Sequence, residues 1–241
     1  MEITIDFATV RRIIAAEYAQ ARDDIAASGP VLAYEHSQQR HDERLAAAPD
    51  ASTLACKAGC HWCCYFTVDV RPVEVFRILD FADREFTPQQ LQRVRAEIAA
   101  NSAALQGLDE VERMQRNIKC PFLDEGRCSI YAARPQTCRN YHATNAAGCQ
   151  QSFEEPGNLD IDPDFAPLVY QSGAAHVDAF SKAMHDAGYD TTALELSTAL
   201  AAAMAQPLAR ERFEAKAPPF VGLQGSEVPL EFIDEADPTR D

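Results

Sequence analysis

Apolar positions along this chain recur mostly at helical spacing. Between residues 5 and 28, Phe7, Val10, Ile14, Tyr18, Ala21 and Ile25 return at steps of three and four, until Ser28-Gly29-Pro30 stops the pattern. A second, more polar helix is expected over 31–48, ended by Pro49, with 49–53 as a short linker. "YFTVDV" at 65–70 alternates instead and predicts a short strand. Pro72 opens a predicted helix over 72–83 with Val73, Phe76 and Leu79 inward. Thr87 caps the next, which starts at Pro88 and carries Leu91, Val94, Ile98 and Leu105 on one face. A further helix is expected around 108–118, on Leu108, Val111 and Met114.

Glu125-Gly126 between two apolar pieces predicts a tight turn, and 130–139 predicts one or two short helical turns. Downstream, 165–187 and 190–205 read as helices, the latter capped by Asp190 with Leu194 and Leu200 inward. The last stretch, 215–241, holds Pro218-Pro219 and is rich in acids. It reads as an extended arm in which Phe220, Val221, Leu230, Phe232 and Ile233 are the residues able to pack. The expectation is a mainly α single domain with an irregular cysteine-rich centre and one small β-hairpin. It divides into an N-terminal helical segment (1–55), a cysteine-cluster metal-binding core (56–149), C-terminal helices packed on that core (150–214) and an acidic tail (215–241).

Composition narrows the classes of function. A chain of 241 residues with 46% apolar content can bury a core without crosslinks, so its eight cysteines do not compensate for a weak one. A net charge of −15 repels a phosphate backbone, and nucleic acid is not an expected partner. No apolar run approaches the roughly 20 residues of a membrane span. The start places acids before its arginines and has no uninterrupted apolar stretch, unlike a secretory signal. A reducing, cytoplasmic setting is therefore expected, where clustered cysteines mean metal or redox chemistry more often than disulfides.

The cysteines fall in two groups, Cys56-x3-Cys60-x2-Cys63-Cys64 and Cys120-x7-Cys128-x9-Cys138-x10-Cys149. Cysteines serving as small hydrophobes would be spread through the helices. Grouping in irregular segments is what convergent ligation needs. Thiolates are soft, charged donors that suit zinc or an iron–sulfur cluster, each normally taking four protein ligands. All eight, Cys56, Cys60, Cys63, Cys64, Cys120, Cys128, Cys138 and Cys149, are candidate metal ligands, for two sites or for one with extra thiols. In an extended backbone Cys63 and Cys64 would point to opposite sides and could not serve one metal symmetrically. The second group has no CxxC knuckle, and proline follows Cys120. Both features favour an iron–sulfur cluster, most simply 4Fe–4S, with zinc as the alternative. A dithiol catalyst built on Cys60-x2-Cys63 would belong beside a βαβ pattern, which is missing.

"CKAGCHWCC", "CPFL", "CSIY" and "RPQTCR", in that order, resemble the CxxCxxCC (YkgJ) family, described as zinc- or iron-chelating domains and often labelled iron–sulfur oxidoreductases. The resemblance covers about residues 56–149. Cys56, Cys60, Cys63, Cys64, Cys120, Cys128, Cys138, Arg134, Pro135 and Arg139 match its positions. The first gap is three residues where the family has two, and Cys149 lies outside the shared motif. The resemblance implies metal binding. It also keeps open an iron–sulfur oxidoreductase or a methyl-transfer enzyme, because a related cluster occurs in flagellin lysine methylases. A non-catalytic protein that presents a surface to a protein or redox partner is the other class.

Around these motifs, His61 and His142 could each stand in for a cysteine, although a polar loop histidine is the commoner case. His36 and His41 are expected to be solvent-exposed. Arg127, Arg134 and Arg139 could offset the negative charge of a thiolate centre. Trp62, Tyr65 and Phe66 could shield it.

Overall fold

The computed structural model describes residues 6–225. Ten helices occur among them: α1 (Phe7–Ser28), α2 (Pro30–Ala46), α3 (Pro72–Glu85), α4 (Pro88–Leu105), α5 (Glu110–Met114), α6 (Gln136–Asn140), α7 (Ala146–Glu154), α8 (Pro167–Asp186), α9 (Leu196–Ala205) and α10 (Ala209–Glu214). Four two-residue strands, β1 (Asp69–Val70), β2 (Leu123–Asp124), β3 (Arg127–Cys128) and β4 (Leu194–Glu195), form two antiparallel pairs, β1 with β4 and β2 with β3. The mainly α expectation holds, with one small hairpin.

Capping explains where the long helices begin. Asp6 accepts from the Thr9 N–H at 3.1 Å, and Thr87 and Gln90 form a reciprocal capping box ahead of Pro88. Asp50 accepts from the N–H groups of Leu168 and Val169 at 2.8 and 3.0 Å, so the expected linker is also the cap of α8. Side chains from α2, α3, α4, α8, α9 and α10 meet in one core around Tyr34, Phe76, Ile98, Phe180, Leu200 and Phe213. Phe220 packs on that core, at 5.8 Å from the Phe76 ring. Leu230, Phe232 and Ile233 lie outside the described residues.

Several expectations change. Residues 190–195 are not helical: Leu194–Glu195 pairs with β1, and Glu195 rather than Asp190 caps α9. Its carboxylate accepts from Ser197 and Thr198, which lets the strand turn directly into the helix. α2 ends at Ala46, before Pro49, because the residue preceding a proline avoids helical backbone. The helix around 108–118 shrinks to α5, and Val111 and Met114 are 52% and 50% exposed instead of buried. Helical spacing alone did not supply a partner surface for them.

The largest correction concerns a polar layer between α1, α2 and α8. His41 is fully buried, not exposed, and its ring stacks on His176 at 4.7 Å and 9°. Buried Glu17 accepts from Ser37 and takes a two-pronged bond from Arg40, all at 2.8 Å. Arg40 also reaches Asp24 at 2.7 Å. Burial, with the neighbouring His41, Arg44 and Arg40, keeps His176 neutral. Its Nδ1 accepts from Arg44 at 3.3 Å, and its Nε2 faces the Ser37 oxygens at 3.0 and 3.1 Å.

Candidate metal centre

The cysteine segments converge although 55 residues separate Cys64 from Cys120. The junction is a backbone bond, from the Cys120 N–H to the Cys64 carbonyl at 2.7 Å. Around it, Cys60, Cys63, Cys64, Cys120, Cys128 and Cys138 line one cavity of about 470 Å³, with Phe66, Phe122, Ile130, Tyr141 and Leu196 among its apolar walls.

Local structure delivers each thiol. Residues Trp62–Tyr65 form a single 3-10 turn, so the backbone at Cys63-Cys64 is not extended. In such a turn neighbouring side chains diverge by about a third of a revolution. The two thiols therefore stay close enough to hydrogen-bond each other, and they do not face opposite sides. The β2–β3 hairpin brings Cys128 back beside Cys120. Its two loop residues, Glu125 and Gly126, have φ of 47° and 75°, the backbone of a primed two-residue turn.

Helix α6 presents Cys138 and is held from behind by two buried charges. Glu74 accepts from the Gln136 N–H and the Tyr34 hydroxyl at 2.8 Å, and from the Arg71 N–H at 2.7 Å. Arg139 donates to the carbonyls of Arg134 and Ala132 at 3.1 and 2.6 Å and pairs with Asp42. Arg139 is thus a clamp on the loop, with only a secondary influence on the thiols. Arg134 does line the cavity, stacked 4.1 Å over Tyr131, and its charge lowers the cost of ionising Cys63, Cys128 and Cys138.

Cys56 and Cys149 do not line the cavity. Cys56 is exposed, and its sulfur receives the Ala143 N–H at 3.4 Å. Cys149 is buried on α7, a helix that residue spacing within 120–149 did not announce. It still senses the thiols of Cys56, Cys60 and Cys63, and its pKa is pushed up to about 11, burial being the main cause. Phe153, also on α7, packs on Trp62 and Tyr65 at 5.3 and 4.8 Å. That cluster screens one side of the centre, as expected of the aromatics there.

Neither candidate histidine joins the thiols. His61 stacks on Trp62, its Nδ1 3.1 Å from the Gly59 carbonyl, and His142 is buried with its Nε2 3.4 Å from the Ala166 carbonyl. Sequence reasoning missed Glu74. Its signal was present, since it is the third residue of a helix opened by proline, the capping-box position.

The surroundings of these thiols oppose their ionisation. Burial pushes the Cys120 thiol up to about 12 and the Cys138 thiol well above its ordinary value, with neighbouring thiols adding to both. Cys63 is raised most by its bond to Cys64 and next by burial. Such thiols become thiolates only when a cation replaces their protons, so the donor set fits a soft metal centre. Among the described residues, no three His, Cys, Asp or Glu side chains converge on a point that could hold a single ion. The thiols surround a volume instead.

Fold and cavity together define a metal-binding cysteine-cluster protein. Residues 55–158 match the model of the CxxCxxCC family, described as "Putative zinc- or iron-chelating domain". The matched segment contains all eight cysteines. No curated protein and no solved structure matches the chain. Among the described residues, no helix is long and apolar enough to cross a membrane.

Proposed function

We propose that this protein holds an iron–sulfur cluster, most simply 4Fe–4S, through the thiolates of Cys63, Cys120, Cys128 and Cys138, and uses it in redox or group-transfer chemistry. The carrying observation is the cavity of about 470 Å³ enclosed by thiols from three separate segments. Zinc draws four sulfurs to about 2.3 Å around one point. A polynuclear cluster is a body with its own volume, and thiols standing around a space suit it better. The cluster supplies electron transfer or, with an open iron position, binding of a reacting group. The chain holds Arg134 against the charge, the aromatic wall against water, and Cys64 and Cys60 as further thiols at the cavity. Cys56 and Cys149 lie outside the cavity, Cys149 close enough to feel the Cys56, Cys60 and Cys63 thiols. A redox partner or a small substrate is the expected correspondent.

Alanine variants test the ligand set. Cys138→Ala or Cys120→Ala should lose most of the bound metal, and Cys56→Ala should keep it. Equal loss in all three would contradict the inner set. Zinc as the resident metal in every variant would move the role to a structural one.

A further inference from the structure

A second cavity, of about 440 Å³, lies on the far side of α6 from the thiols, between α6, the 162–165 loop and α8. Thr137 and Tyr141 line both cavities, so the two spaces adjoin. Its walls combine an apolar surface with buried polar groups that lack partners. Gln136 is 1% exposed, and its Nε2 has no hydrogen-bond partner among the described residues. His142 is 8% exposed, and its Nδ1 likewise has none. A buried donor or acceptor without a partner is costly, and a ligand that supplies the partner recovers that cost.

Arg71, at the head of α3, also lines this space, and its guanidinium forms no ion pair among the described residues. The other face is apolar, with Phe165 packed 5.3 Å from Tyr170 and with Ala174 and Val177 beyond. Two acids line the space as well. Asp162 is exposed, so solvent screens it, and Asp178 is buried and already engaged.

We propose that this cavity binds a small organic carboxylate with an apolar body. The carboxylate is held by the Arg71 guanidinium and the Gln136 amide N–H, and the body lies on Phe165 and Tyr170. A guanidinium beside an amide donor is a natural carboxylate cradle. His142 donates through Nε2 to the Ala166 carbonyl, so its Nδ1 lone pair is left for a hydroxyl of the ligand. A molecule bound there adjoins the thiol centre. That placement makes it a substrate or effector of the proposed cluster, and in this respect only the inference rests on the function proposed above.

The experiment is calorimetric titration of the metal-loaded protein with 3-phenyllactate, its methyl ester and phenethylamine, with metal content measured on every sample. The acid should bind saturably, and the ester about tenfold more weakly or worse. Arg71→Gln and Gln136→Leu should each weaken the acid by a similar factor while metal content and far-ultraviolet dichroism stay at wild-type values. Absence of acid binding, equal binding of acid and ester, or preference for phenethylamine would overturn the carboxylate site. Because the metal is quantified separately, that failure is distinguishable from failure of the cluster.

Discussion

The α1–α2–α8 layer and the thiol centre both bury polar groups, but they settle the cost differently. In the helical layer every charge is answered from within the chain: Glu17 by Arg40 and Ser37, Arg40 by Asp24, and His176 by Arg44 and the Ser37 oxygens. In the centre the buried groups are thiols that raise one another's pKa, with Arg134 the principal cation at hand. The charges of the first region are met within the protein, although both ring nitrogens of His41 lack a hydrogen-bond partner among the described residues. The second gathers buried thiols whose ionisation a metal would compensate. The contrast teaches that burial of polar atoms is not by itself a mark of function. What marks the thiol centre is several donors of one chemistry around one space.

The strongest way to break this comparison is to remove the answer in the helical layer. Glu17→Ala removes the buried carboxylate shared by Arg40 and Ser37, leaving Arg40 only Asp24 and Ser37 only His176, and should cost about 3–5 kcal/mol, read from the urea midpoint. Metal content per folded protein should not change. If the variant instead lost metal at unchanged stability, the two regions would not be separate.

A smaller effect comes from pH. Burial, the Arg139, Arg134 and Arg44 charges, and only partial opposition from Asp42 hold His41 at about 3, against an ordinary 6.5. Burial, His41, Arg44 and Arg40 likewise hold His176 well below its ordinary value. Below pH 6.5 the unfolded chain takes up protons that the folded chain refuses. Stability is therefore fully present above 6.5 and falls as pH drops from there toward 3, by about 1.4 kcal/mol per unit for each histidine. His41→Phe should flatten the slope between pH 6.5 and 5 by about one proton. An unchanged slope would show that His41 charges freely in the folded state.

The smallest effect sharpens the other side. Gly126 sits at φ 75°, with its nearest non-local atom, His61 Nδ1, 3.8 Å from an added Cβ. Gly126→Ala has room, so its cost is backbone strain alone, about 1 kcal/mol. Thermal denaturation should show that loss more clearly in the metal-free form than in the loaded form, where ligation holds Cys120 and Cys128 together. Equal losses in both forms would mean that the hairpin is not tied to the metal.

The long helices were legible because capping residues and apolar spacing agreed, as at Thr87-Pro88 and along Val94, Ile98 and Leu105. The hairpin at Glu125-Gly126 was legible from turn chemistry. The position of Glu195 was not, because strand pairing with Asp69 is non-local and outweighed Asp190 as a cap. His41 misled for a related reason. On α2 its neighbours look polar, and only α8, more than a hundred residues away, supplies the stacking partner His176. At the site, cysteine spacing identified the thiols, but not which of them share a cavity. That division depends on the 3-10 turn at Trp62–Tyr65 and on α7, which pack on each other through Phe153. The second cavity had no signature in sequence, since Arg71, Gln136 and His142 are ordinary residues until the fold brings them to one space.

The central claim is that the thiols enclose a cluster. The most direct measurement is anaerobic purification, followed by an optical spectrum and iron, sulfide and zinc quantification on one sample. The account predicts broad absorption near ~400 nm with iron and sulfide in matching amounts. A colourless protein with stoichiometric zinc would contradict it.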